Sequence, residues 1–134
     1  MIRYRGGYKY QLVEDYSVWL PIAPPNTITT EYITLTSLGI LSVHSGYAWD
    51  GPSGPTIDTK NFMRGSLVHD ALYQLMRERF LPETFRARAD VLLRDLCLED
   101  GMWRIRAWWV YQGVRFGGGP AAAPKNVKPV LEAP

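Results

Sequence analysis

Five residues near the middle of the chain, Gly51-Pro52-Ser53-Gly54-Pro55, hold two glycines and two prolines. Neither a strand ladder nor a helix is expected through such a stretch. Proline has no N–H to donate, and glycine gives up the most conformational freedom on being ordered. On either side of it the apolar residues keep different periods. Upstream the period is two; downstream it is that of an α-helix. Strands followed by a run of helices read as an α+β architecture.

Upstream, Tyr8, Tyr10 and Leu12 alternate, then Tyr16, Val18 and Leu20, with a turn expected at Glu14-Asp15. Pro21, Pro24, Pro25 and Asn26 make a loop. Thr29 to Leu35 is rich in β-branched residues and predicts a strand, and Gly39 to Val43 a shorter one. The first fifty residues are therefore expected to form a small, mostly antiparallel sheet. Tyr47 to Asp58 is expected to be a structured loop carrying two acids, Asp50 and Asp58.

Downstream, Phe62, Leu67, Val68, Ala71, Leu72, Leu75 and Met76 predict a helix from Asn61 to about Arg79. Pro82 restarts the chain, and Glu83 and Thr84 suit a helix N-terminus. Phe85, Ala89, Leu92, Leu93 and Leu96 form the stripe of a second helix, and Gly101 is a suitable stop. A third helix is expected from Met102 to Arg115, with Trp103, Ala107, Val110, Tyr111 and Val114 facing inward. Trp108 and Trp109 are adjacent, so they cannot share one narrow face, and at least one belongs near the surface. The expected organisation is one domain over 1–118 and an extended Ala/Pro-rich tail over 119–134.

Composition narrows the class. With 134 residues, 46% of them hydrophobic and 21% charged, the chain can bury a core and is not a disordered sequence. Cys97 is the only cysteine, so no intrachain disulfide supports the fold, and its leucine neighbours read it as a packing residue. No signal peptide is read at the N-terminus, and no apolar run is long enough to span a membrane. The net charge is +2, yet nine of the eleven arginines lie between Arg64 and Arg115. Most are expected on solvent faces of helices, where clustered charge steers association with anionic surfaces. Nucleic acid is not expected as the partner.

The chemistry concentrates on Ser66-Leu67-Val68-His69-Asp70-Ala71-Leu72-Tyr73. Four residues apart, His69 and Tyr73 share a helix face. Asp70 is rotated by about 100° from His69 and flanks the same cleft. Antiparallel packing of the next helix would bring Asp90 back beside His69. An imidazole oriented by a carboxylate can take a proton from water. Tyr73 is placed to hydrogen-bond that orienting acid. Asp70 and the Asp50 loop offer the hard oxygen ligands that calcium prefers, and such an ion would polarise an ester carbonyl. The competing reading makes these residues a satisfied polar network in a helical core. His44, the other histidine, sits in a strand and reads as structural or exposed. No P-loop, dinucleotide fingerprint or zinc spacing is present.

Gly51-Pro52-Ser53-Gly54-Pro55, Leu67 to Tyr73, Ala89-Asp90 and Tyr111-Gln112-Gly113-Val114-Arg115-Phe116-Gly117 together resemble an uncharacterised family of bacteriophage and prophage proteins. The resemblance covers roughly residues 40 to 118 and implies a phage origin. A more distant resemblance is to secreted calcium-dependent phospholipases, which carry His-Asp-x-x-Tyr on one helix, a glycine-containing calcium loop before it and an acid on an antiparallel helix after it. That resemblance implies His69 as general base, Asp90 as the acid orienting it, Asp70 as a calcium ligand, and Asp50 and Gly51 in the calcium loop. Those enzymes are stapled by disulfides and this chain is not. The expected function is a virion- or lysis-associated phage hydrolase acting on an ester in the host envelope. The alternative is a phage tail or virion structural protein whose tail and Trp-rich helix bind neighbouring subunits. Other virion proteins and a membrane lipid are the expected partners, and the virion or the host cytoplasm the expected location.

Overall fold

The computed structural model describes residues 4–5, 10–49 and 60–117. The strands belong to one compact unit and the helices to a second.

The first unit holds two antiparallel sheets where the sequence predicts one. β1 (Tyr4–Arg5), β2 (Tyr10–Leu12) and β7 (Ala48–Trp49) form a sheet of order β1-β2-β7. β3 (Tyr16–Trp19), β4 (Ile28–Thr29), β5 (Ile33–Leu35) and β6 (Ile40–Val43) form another, of order β3-β6-β5-β4. The bend expected at Glu14-Asp15 is where the chain passes from the first sheet to the second: β2 pairs with β7, but β3 pairs with β6. In the second sheet Ile33 faces Val43 and Leu35 faces Leu41 across the β5–β6 ladder, and all four are completely buried. The stretch Thr29 to Leu35 is not one strand. It contains a hairpin turn in which the Thr30 N–H donates to the Ile33 carbonyl and the Ile33 N–H donates to Thr30 Oγ1. Threonine's hydroxyl competes for backbone bonds, and here it closes the turn. Ala48 and Trp49, expected in a loop, are strand β7.

In the second unit α1 spans Lys60–Arg77, α2 Arg86–Glu99 and α3 Arg104–Gly117, with a 3-10 turn over Glu83–Phe85 before α2. Thus Glu83 and Thr84 lie in that turn rather than opening the α-helix. α1 and α2 end in the same way. At the end of α1 the Phe80 N–H reaches back to the Leu75 carbonyl and the Arg79 N–H to Met76. At the end of α2 the Met102 N–H reaches Cys97 and the Gly101 N–H reaches Leu98. Both are Schellman closures, which need one residue in the left-handed region. Gly101 takes it at φ +96°, and Arg79 takes it at φ +68°.

α1 and α2 are antiparallel. Near the start of α1, Arg64 makes a two-pronged bond to Asp100, just past the end of α2, at 2.9 and 3.0 Å. Gly65 lets the helices approach closely: a Cβ there would lie 3.0 Å from both Cys97 Sγ and Leu93 Cδ1. Phe62, Leu93, Cys97, Met102 and Ala107 form a buried cluster, with Leu98, Val110 and Val114 packed against it. Ala107, Val110 and Val114 thus face inward as their spacing predicts. Trp103 does not: it precedes the first turn of α3 and is 79% exposed. Met102 takes the buried place beside it. Trp108 and Trp109 are both exposed.

Candidate active site

Twelve of the eighteen residues of α1 are buried, so a polar side chain on this helix must find a partner within the protein. His69 does. Its Nε2 lies 2.7 Å from Asp90 Oδ1 on α2. Asp90 is completely buried, and it is surrounded by donors. The Tyr73 hydroxyl donates to the same Oδ1 at 2.5 Å, and Arg115 Nη1 donates to Oδ2 at 2.8 Å. Burial alone would raise the Asp90 pKa. Hydrogen bonds from His69 and Tyr73, with Arg115 behind them, reverse this and hold it below the ordinary carboxylate value.

A carboxylate on Nε2 leaves Nδ1 as the second face of the imidazole. Nδ1 lies 3.9 Å from Asp70 Oδ1, too far for a hydrogen bond but close enough for charge attraction. Burial would lower the His69 pKa, yet the carboxylates of Asp70 and Asp90 outweigh it and raise the value above the usual imidazole range. The Tyr73 phenol is pushed the other way from acidity: burial first, then the Asp90 carboxylate, raises its pKa. Tyr73 therefore acts as a proton donor to Asp90 and stays neutral. Its ring also lies over that of His69, with centroids 4.1 Å apart.

Two arginines complete the group, and neither stands out in the sequence as a site residue. Arg86 opens α2 one turn before Asp90. Its Nη2 donates to the carbonyls of Val114 and Arg115 at 3.0 and 2.6 Å, and its Nε to the Tyr73 hydroxyl at 3.2 Å. These carbonyls lie in the last turn of α3, where no further turn satisfies them and the helix dipole favours a cation. Arg86 thus fixes the end of α3 against the site, and Arg115 reaches Asp90 from that end. The spacing of Arg86 and Asp90 is that of a helical ion pair and was a usable signal. Arg115 is brought in by tertiary packing from 25 residues away, which local spacing does not reveal.

The structure therefore brings together His69, Tyr73 and Asp90, and sets Asp70 beside His69. Asp50 and Gly51 lie outside the described residues. His44 belongs to the strand unit, where its Nδ1 is 3.7 Å from Asp15. The donor set for calcium is partial. Asp70, about one-third exposed, is a suitable hard ligand, whereas both oxygens of Asp90 are already committed to hydrogen-bond donors. Among the described residues no cluster of three or more His, Cys, Asp or Glu side chains is disposed to hold a metal. Compared with known protein families, with curated proteins and with solved structures, the chain finds no match.

Proposed function

We propose that this chain is a phage-encoded, virion- or lysis-associated hydrolase that cleaves an ester in the host envelope at a phospholipase-like His/Asp site. The observation that supports it is the 2.7 Å contact of His69 Nε2 with the fully buried Asp90, which directs Nδ1 toward the partly exposed Asp70. Phage origin is what the resemblance of the His69–Tyr73, Ala89-Asp90 and Val114-Arg115 motifs to the phage family implies, and an ester substrate is what the separate likeness of the His69–Tyr73 helix and Asp90 to calcium-dependent phospholipases implies.

In this reading neutral His69 carries its proton on Nε2, donated to Asp90. Nδ1 accepts a proton from water as the water oxygen bonds to the ester carbonyl carbon. The imidazolium that forms is stabilised by Asp90, whose own charge is held by Tyr73 and Arg115. Nδ1 then gives the proton to the departing alkoxide as the C–O bond breaks, so that ester and water become acid and alcohol. Calcium, when bound by Asp70 with Asp50 and Gly51, would polarise the carbonyl and offset the charge of its oxyanion.

The test is hydrolysis of phospholipid vesicles, with and without calcium, by the wild type and by His69→Gln. General-base loss predicts a fall on the order of 10² to 10⁴-fold in rate. Because the His69 pKa is raised, the wild-type rate should climb with pH through that value as Nδ1 becomes free. Absence of ester hydrolysis under every condition, or equal rates for His69→Gln, would sink the proposal. The second reading, a structural virion protein, is supported by the exposed Trp103, Trp108 and Trp109 around α3. Among the described residues no helix is long and apolar enough to cross a membrane.

A further inference from the structure

α3 has two apolar faces. One carries Ala107, Val110 and Val114 and packs against the helical core. The other carries Ile105, Trp108, Trp109 and Phe116, between 50% and 87% exposed. Their spacing of three, one and seven residues places them within about 100° of arc, directly opposite the buried face. Trp103 adds a further exposed ring just before the helix. One stray apolar residue on a surface needs no explanation, but a stripe of this kind, interrupted only by Gln112, marks a contact surface.

The charges select its partner. α3 contains three arginines and no acidic residue; Arg115 is bonded to Asp90 and the Arg106 guanidinium lies 6.0 Å over the Phe62 ring, whereas Arg104 is exposed beside the stripe. On a helical projection Arg104 and Arg106 flank the outer stripe on opposite sides. A second copy of α3 laid on this face would bring a second Arg104 to it and no carboxylate from either helix. An anionic lipid surface answers both features. Tryptophan and arginine are amphipathic, each with an apolar body and a polar end suited to the headgroup layer. At 14 residues α3 is about 21 Å long, too short to cross a bilayer but suited to lie in its surface.

We infer that the outer face of α3 is a membrane-docking surface, which lies flat on an anionic phospholipid layer with Ile105, Trp108, Trp109 and Phe116 inserted and Arg104 on the headgroups. This goes beyond the hydrolase reading and does not depend on it, since docking requires no turnover.

The test is co-sedimentation of the whole chain with vesicles of phosphatidylglycerol or of phosphatidylcholine, in a chelating buffer so that calcium-dependent chemistry is silent. Binding to phosphatidylglycerol is expected at least about tenfold tighter than to phosphatidylcholine, weakening at about 0.5 M salt as charges are screened. The triple variant Ile105→Gln/Trp109→Gln/Phe116→Gln should lose about tenfold or more in partitioning while keeping the wild-type melting temperature. Arg104→Glu, fully outside the core, should weaken binding to phosphatidylglycerol alone. Failure to bind phosphatidylglycerol, or equal binding by the triple variant, would overturn the inference. So would light scattering that shows a wild-type oligomer which the triple variant converts to monomers, because the face would then be covered by protein. Vesicle binding in chelator by a chain that hydrolyses no phospholipid when calcium is supplied would leave the docking surface standing and remove the hydrolase.

Discussion

Asp90 is the residue on which the helical site turns, because it is a fully buried charge that holds three donors from three different helical positions. Asp90→Ala would leave the His69 and Arg115 sites facing an apolar methyl. A broken buried ion pair of this kind costs about 3–5 kcal/mol, which denaturant unfolding would read as a lower midpoint. The two neighbours of His69 act on its proton with opposite signs. Asp70 stabilises the imidazolium, so Asp70→Asn should lower the His69 pKa. Arg115 is a cation bonded to the same carboxylate, so Arg115→Leu should raise it. A proton NMR titration of the His69 ring, assigned with a His44→Gln control, measures both. A shift of the same sign in the two variants would contradict this account of the electrostatics. The helix carrying His69 and Tyr73 was legible in their four-residue spacing, and the meeting with Asp90 needed only antiparallel packing. Arg115 was not legible as a partner, because what delivers it is the docking of the end of α3 by Arg86.

The closures of α1 and α2 share a hydrogen-bond pattern but differ in the residue that bears the left-handed backbone. Gly101 has no Cβ and takes φ +96° without strain, whereas Arg79 at φ +68° carries a side chain against the following carbonyl. Arg79→Gly should therefore stabilise the protein, by about 0.5–1 kcal/mol, seen as a higher melting temperature. Gly101→Ala should do the reverse. Gly65 runs against helix propensity. An alanine in a helix interior is ordinarily worth up to about 1 kcal/mol over glycine. Here its methyl would press on Cys97 Sγ, Leu93 Cδ1 and the Leu93 carbonyl at 3.3 Å. The carbonyl is backbone and yields least, so overpacking should win and Gly65→Ala should destabilise by about 1–2 kcal/mol in chemical denaturation. The sequence pattern identified Gly101 as a stop because glycine there is a conformational signal. It did not mark Arg79, where the turn is imposed by the closure, or Gly65, where the reason lies on another helix. For the same reason Thr29 to Leu35 reads as one strand by composition: nothing in β-branched character alone shows that Thr30 turns back on Ile33.

The division into strands and helices follows from the change of period at the Gly/Pro stretch, and three helices lie close to their expected spans. What the pattern could not give is the partition of strands between two sheets, since pairing β2 with β7 joins residues far apart in sequence. The titrating groups buried in the helical unit set how the protein responds to pH. The His69 pKa is raised, so the folded state holds that proton more tightly than the unfolded chain. Its contribution is fully present below about 6.5 and is lost as pH rises through the folded value. Asp90 has a lowered pKa, so its contribution is present above 3.8, the unfolded value, and is lost as pH falls through the folded one. Cys97 acts at the alkaline end. Burial pushes its thiol from 9.0 up to about 12, so above pH 9 the unfolded chain ionises while the folded thiol does not, and stability falls. The Tyr73 phenol, also raised, steepens that loss above 10.0. Thermal melts in chelator should therefore show a plateau between about pH 4 and 6.5, a decline above it, and a second, steeper decline beyond pH 9. His69→Gln should flatten the first decline and Cys97→Ala should soften the second. If the melting temperature instead rose between pH 6.5 and 9, His69 would have to be buried as the neutral imidazole, and the Asp90 and Asp70 carboxylates could not be governing its charge.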